Sequence, residues 1–160
     1  MSRKLVIVTG YFGAPIEETA RKLADGRGFA YLSLDREIEK RDGRSITRLC
    51  MMNGEHGYRN QEYEILNELN ESPDTDGLVV ACGDGVLYDD MSREIAEANE
   101  LVIVGDDLTA DELWNRAKAQ GSSYHAFMAF GSEEEKRLAF EKYLDRQKAL
   151  FEKVGGKDDL

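Results

Sequence analysis

The apolar positions of this chain fall into four short unbroken runs separated by stripes at helical spacing. Leu5-Val6-Ile7-Val8-Thr9, Phe29-Ala30-Tyr31-Leu32-Ser33-Leu34, Leu78-Val79-Val80-Ala81-Cys82 and Leu101-Val102-Ile103-Val104 carry no polar alternation. Strands buried on both faces read this way. After the first run, Ile16, Ala20, Leu23 and Ala24 share one helical face, opposite Glu17, Glu18, Arg21 and Lys22. Asp35 to Arg41 predicts a short helix stopped at Gly43, and Ser45 caps a further turn, Ile46 to Met52. Tyr58, Glu62, Ile65, Leu66 and Leu69 mark a long helix from Glu55 to Leu69. Helices over Tyr88–Asn99, over Thr109–Ala119, and from Glu133 to about Val154 behind the cap Ser132 complete the set. Residues 70–77 and 120–131 read as loop, and residues 156–160 as a disordered tail. Alternating apolar strands and helices predict an α/β fold. It is a single domain over 1–155, with a parallel sheet of about four strands sandwiched by helices and the first strand central.

Composition narrows the class. The chain has 160 residues, 41% of them hydrophobic, and no long apolar run. Met1-Ser2-Arg3-Lys4 leads straight into an apolar run too short for a secretory core. Cys50 and Cys82 lack metal spacing, and His56 and His125 lie far apart, so a reducing, cytoplasmic setting without a bound metal is expected. The net charge of −11 is uneven: residues 1–50 hold ten Lys/Arg against seven Asp/Glu, and residues 51–160 hold eleven against twenty-five. Such an excess of acid argues against nucleic acid or an anionic membrane as partner.

Candidate chemistry starts at the first strand. Strand, Gly-bearing turn (Gly10, Gly13, Ala14) and helix form the context of a phosphate-binding loop, where loop amides and the helix N-terminus face an anion. Read from Gly10, G-x-x-x-x-G-K-[ST] requires glycine, lysine and a hydroxyl residue where this chain has Pro15, Ile16 and Glu17. Proline removes an amide donor, isoleucine the cation that meets the phosphates, and glutamate puts negative charge where a hydroxyl would meet Mg²⁺. Two readings stand. One is a dismantled phosphate loop. The other is an ordinary strand-to-helix turn with Pro15 at the first helical position and Glu17 and Glu18 in the first turn.

Further along come Leu34-Asp35-Arg36-Glu37-Ile38-Glu39-Lys40-Arg41 with Gly43 and Ser45-Ile46, then Gly54-Glu55 and Tyr58-Arg59-x-x-Glu62. Gly83-x-Gly85 follows, and Arg146 stands four residues before Leu150-Phe151. In order and spacing, from residue 4 to about 154, these segments resemble the shikimate kinases, within the P-loop nucleoside-monophosphate-kinase fold. The resemblance implies that Asp35 holds substrate hydroxyls and that Arg59 and Arg146 clamp its carboxylate, a role suited to a planar guanidinium fork. Gly83 and Gly85 match the outer glycines of the substrate-side turn, with Asp84 in place of the middle one. The ATP half fits less well. Besides the loop, Ser33 stands where an aspartate helps order Mg²⁺. The lid, 120–131, should carry Arg followed by Pro-Leu-Leu and instead has His125-Ala126-Phe127-Met128. Arg116 matches the adenine-side arginine only with altered spacing. The family pattern also continues into a fifth strand and a further helix, and these residues end at Leu160 before them.

Each retained residue has a plainer reading: Asp35 as the N-cap of its helix, Arg59 and Glu62 as a surface pair, Arg146 as one charge among many on a solvated face. Three functions are expected in order. The first is a relative without phosphotransfer that keeps a pocket for a small hydroxylated carboxylate, needs no cofactor, and works as a binding or regulatory protein, alone, as a homodimer or with a protein partner. The second is an active kinase using ATP and Mg²⁺. The third is an interaction module with a vestigial pocket. Two arginines around one cleft repel unless an anion sits between them, and three anions are open: a ligand, a buffer ion, or the Asp84 carboxylate folded over.

Overall fold

In a computed structural model, residues 4–72, 76–120 and 125–158 are described. Ten main elements alternate along them: β1 (Leu5–Gly10), α1 (Ile16–Arg27), β2 (Ala30–Ser33), α2 (Leu34–Asp42), α3 (Ile46–Glu71), β3 (Leu78–Ala81), α4 (Asp90–Glu97), β4 (Glu100–Val104), α5 (Ala110–Ala119) and α6 (Glu133–Asp158). Short 3₁₀ turns occupy Val86–Tyr88 and Ala126–Met128. The strands form one parallel sheet in the order β2-β3-β1-β4. The expected four-stranded α/β sheet with β1 inside it is therefore present.

Burial on both sheet faces explains the unbroken apolar runs. Along β1, Leu5 and Ile7 join the larger core beneath α2, α3 and α6, while Val6 and Val8 point to a second core closed by Ala20 and Ala24 of α1. The small side chains of α1 let it lie close over β3 and β1. β4 pairs with β1 alone among the described residues, and residues 126–128 form a 3₁₀ turn rather than a strand.

Several boundaries differ from expectation. Pro15 is the N-cap of α1 rather than its first helical residue, and α1 continues through Gly26 to a left-handed cap at Gly28. Ser33, not Asp35, caps α2: its hydroxyl accepts the Arg36 N–H, which places Asp35 inside the first turn. The turn after Ser45 and the long helix run together as α3, bent at Gly54, where φ is +77°. That backbone region favours glycine. α6 extends beyond Val154 to Asp158. Residues 159–160 of the expected tail, 121–124 of the lid, and Pro73 with its two successors lie outside the described residues.

Candidate functional site

The carboxyl ends of β1, β2 and β3 open onto two cavities. The first, of about 440 Å³, lies beneath the β1–α1 loop and is lined by Pro15, Ile16, Glu17 and Glu18 from that loop, by Ser33 and Asp35 from the β2–α2 junction, by Gly83 and Asp84, and by Arg116. The second, of about 930 Å³, lies between the α3 bend, the lid and α6, and holds Arg59 and Arg146. Asp35 lines the first cavity and the two arginines the second, and Thr47 lines both.

The β1–α1 loop has its donors turned inward. The Phe12 N–H donates to Gln147 Oε1 of α6 at 3.0 Å, and the Ala14 N–H donates to the Tyr11 carbonyl at 2.9 Å. The Gly13 carbonyl accepts from Arg116 Nε at 2.8 Å, so the guanidinium expected on the adenine side braces the loop. Gly13 has φ +97°, and a Cβ there would sit 2.3 Å from the Leu113 carbonyl oxygen. No other residue fits so close a crossing. Tyr11 packs edge-on against Phe151, and Phe12 packs among His125, Phe140 and Tyr143. Aromatic side chains in a glycine loop are anchors in the core.

Acids dominate the first chamber. Ser33 Oγ donates to Glu17 Oε1 at 2.7 Å, fixing that carboxylate at the loop's end. Glu17, Glu18, Asp35, Glu39 and Asp84 line the cavity against Arg36 and Arg116, and Arg36 is itself paired with Glu39 at 2.6 Å. Asp35 accepts a 2.5 Å hydrogen bond from the Tyr58 hydroxyl. Burial, with help from nearby Glu62, pushes the Asp35 carboxyl up to about 7, against the opposing Tyr58 bond.

In the second chamber the arginines stand in different states. Arg59 is buried, its Nη1 2.8 Å from Glu62 and its Nη2 2.8 Å from Glu55. Burial raises the Glu62 carboxyl pKa while Arg59 lowers it, and Glu62 Oε2 has no hydrogen-bond partner. The Arg59 guanidinium packs on Gly85, where a Cβ would meet Nη2 at 2.0 Å. Arg59 is therefore neither a surface pair nor short of an acid. Glu55 supplies a second carboxylate beside that of Glu62. Arg146 is exposed, lies 5.6 Å over the Tyr143 ring, and makes no ion pair among the described residues.

Asp84 stands between the chambers. Its Oδ2 accepts from Tyr143 Oη at 2.8 Å and lies 2.9 Å from His125 Nε2. Gln147 Nε2 donates to the Asp84 carbonyl at 3.0 Å and reaches Oδ2 at 3.3 Å. Asp84 and His125 are both buried. A carboxylate on the substrate-side turn, a lid histidine and two α6 side chains thus form one buried wall.

A family model described as shikimate kinase matches residues 17–155. The chain belongs to the shikimate kinase family. It is 37% identical over 99 residues to the shikimate kinase of Chlorobium limicola, covering 61% of this chain and 48% of that one. It is 31% identical over 114 residues to the shikimate kinase of Aromatoleum aromaticum, covering 71% and 63%. The chain thus spans about half to two thirds of the length of these relatives. Among solved structures, the shikimate kinase from Acinetobacter baumannii in complex with shikimate superposes with a TM-score of 0.78 at 23% identity, covering 96% of this chain and 80% of that one. The enzyme from Bacteroides thetaiotaomicron gives 0.77 at 20% identity, covering 92% and 81%. Both likenesses confirm the shikimate kinase fold. The family match begins at Glu17, so most of the β1–α1 loop precedes it.

Sequence reasoning missed Gln147, Tyr143 and Tyr58 as site residues. Gln147 did carry a signal. It lies on the α6 face that bears Phe140, Leu144 and Phe151, and a polar side chain on an apolar stripe needs a buried partner.

Proposed function

We propose that this member of the shikimate kinase family binds a small carboxylate in its second chamber and does not transfer phosphate from ATP. The observation that carries the reading is the closed β1–α1 loop. Phosphoryl transfer rests on positioning and on neutralising phosphate charge with amides, a lysine and Mg²⁺. Here the Phe12 amide is engaged by Gln147, no lysine is present, and Glu17 is held by Ser33 where the metal would be ordered. The residues present do not fit ATP·Mg²⁺. Five carboxylates against two guanidinium groups make the first chamber repel a polyphosphate. The Asp84–His125–Tyr143 wall would also separate a phosphate donor from an acceptor beside Arg146.

The carboxylate half of the reading rests on Arg146, a guanidinium with no counter-ion among the described residues, at a small-molecule-sized cavity. The structural relative in complex with shikimate supplies the first acid to try. Calorimetry with ATP·Mg²⁺ and with shikimate, separately and together, tests the proposal. No heat from ATP·Mg²⁺ and no ADP release in the mixture are expected. A micromolar dissociation constant for ATP, or shikimate-dependent ADP, would restore the kinase reading.

A further inference from the structure

The second chamber has a composition unlike that of a site for a polyhydroxylated acid. Its polar groups are mostly engaged within the protein. Arg59 is held by Glu55 and Glu62, His125 by Asp84, and the Asp89 carboxylate accepts the Ser92 N–H as the cap of α4. Asp35, the residue expected to hold substrate hydroxyls, faces the other chamber and is bonded to Tyr58. Beyond Thr47, His56 and Tyr88, hydroxyls entering the second chamber would lose water for few matched partners, which disfavours a ligand carrying several of them.

Beside the Thr47 and Tyr88 hydroxyls and His56, what remains is largely apolar surface around one exposed cation. Phe127 lies 5.7 Å from the Tyr143 ring and 5.2 Å from the His125 ring, a wall of tilted aromatic rings. At the mouth, Phe130 and Met51 are 79% and 81% exposed, and both line the cavity. Arg146 lies over Tyr143 at the same chamber, without an ion pair among the described residues. At about 930 Å³ the chamber is at the large end for a small-molecule site. Methionine beside aromatic side chains suits a flat ring, because the thioether adapts its shape and packs well at ring edges.

From these observations we infer that the second chamber binds an amphipathic carboxylate with an aromatic or otherwise apolar ring, its carboxylate on Arg146 and its ring between Phe127, Phe130 and Met51. This rests on the proposed carboxylate pocket and names its ligand class. A planar guanidinium held over Tyr143 presents its edge to a carboxylate, and such charge-assisted contacts are among the stronger hydrogen bonds. The ring would cover the exposed Phe130 and Met51 side chains, so each partner shields the other's apolar surface from water.

Titration calorimetry and thermal shift with the full chain test this, using 3-phenylpropanoate, its neutral amide and shikimate as probes. Phenylpropanoate is expected to bind about tenfold or more tightly than either of the others. Arg146→Gln should weaken its binding about tenfold, and Arg146→Lys less, since the charge remains. Phe130→Ser should weaken phenylpropanoate without weakening shikimate. Both positions are exposed, so folding is retained, checked by an unchanged melting temperature without ligand. Shikimate binding as well as phenylpropanoate would overturn the ring assignment while leaving the carboxylate pocket standing. Equal binding of amide and acid would overturn the role of Arg146. No response to any probe at millimolar concentration would sink this inference and the carboxylate-pocket reading together.

Discussion

The β1–α1 loop and the arginine chamber sit at the same edge of one sheet, yet they treat polar groups in opposite ways. The loop keeps the backbone path of an anion cradle but turns donors inward, to Gln147 and to its own Tyr11 carbonyl. The chamber keeps two arginines, one tied between carboxylates and one exposed on Tyr143. The difference teaches that a residue's presence in a motif does not establish its availability. A guanidinium flanked by Glu55 and Glu62 is a structural cation. The same group over an aromatic ring, with no counter-ion among the described residues, can still receive a ligand.

The largest expected effect breaks the comparison at Arg59. Arg59→Ala would leave Glu62 buried and unpaired, costing about 3–5 kcal/mol of unfolding free energy in urea titrations, with part of it relieved as Glu62 takes a proton. A loss under about 1 kcal/mol would show that Arg59 is held weakly enough to serve a ligand. Asp84→Gly comes next. It removes the Asp84 carboxylate from the Tyr143 hydroxyl and the His125 ring, for about 1–3 kcal/mol, and should raise hydrogen exchange in the described lid residues 125–128. Unchanged exchange there would mean that the wall is held by aromatic packing alone.

Asp35 sharpens the contrast through pH. Its carboxyl titrates near 7 in the folded protein, above the ordinary value of 3.8, because burial disfavours the charged form. Between those values the folded state binds more protons than the unfolded chain, so stability falls as pH rises from about 4 to 7 and levels off above. Glu62, also raised, contributes with the same sign. Asp35→Asn keeps the acceptor for Tyr58 and should flatten this slope when unfolding is measured at pH 4, 5.5, 7 and 8. An unaltered slope would place the titration elsewhere. The smallest effect is at Arg146: Arg146→Ala should change stability by no more than about 0.5 kcal/mol, as for an exposed side chain without a paired carboxylate. A loss comparable to that of Arg59→Ala would make the two arginines equivalent and dissolve the distinction between them.

Much of the frame was legible in the order of residues. Runs such as Leu78–Ala81 are apolar throughout because both faces of an interior parallel strand are covered, a requirement visible along the chain itself. Ser45, Thr109 and Ser132 announce helix starts because a cap satisfies amides only two or three residues away. Pro15, Ile16 and Glu17 report by identity alone which loop chemistry is missing.

Tertiary structure decided which polar groups meet. Gln147 reaches the Phe12 amide across 135 positions and Asp84 across 63, and no local periodicity encodes such pairings. Ser33 rather than Asp35 became the cap because the cap must keep extended backbone while its hydroxyl turns to the Arg36 amide. The placing of Asp35, Arg59 and Arg146 around adjoining cavities likewise comes only from the packing of α2, α3 and α6. Sequence supplies the donors, acceptors and charges. Only the folded geometry determines which of them are already satisfied and which are left for a ligand.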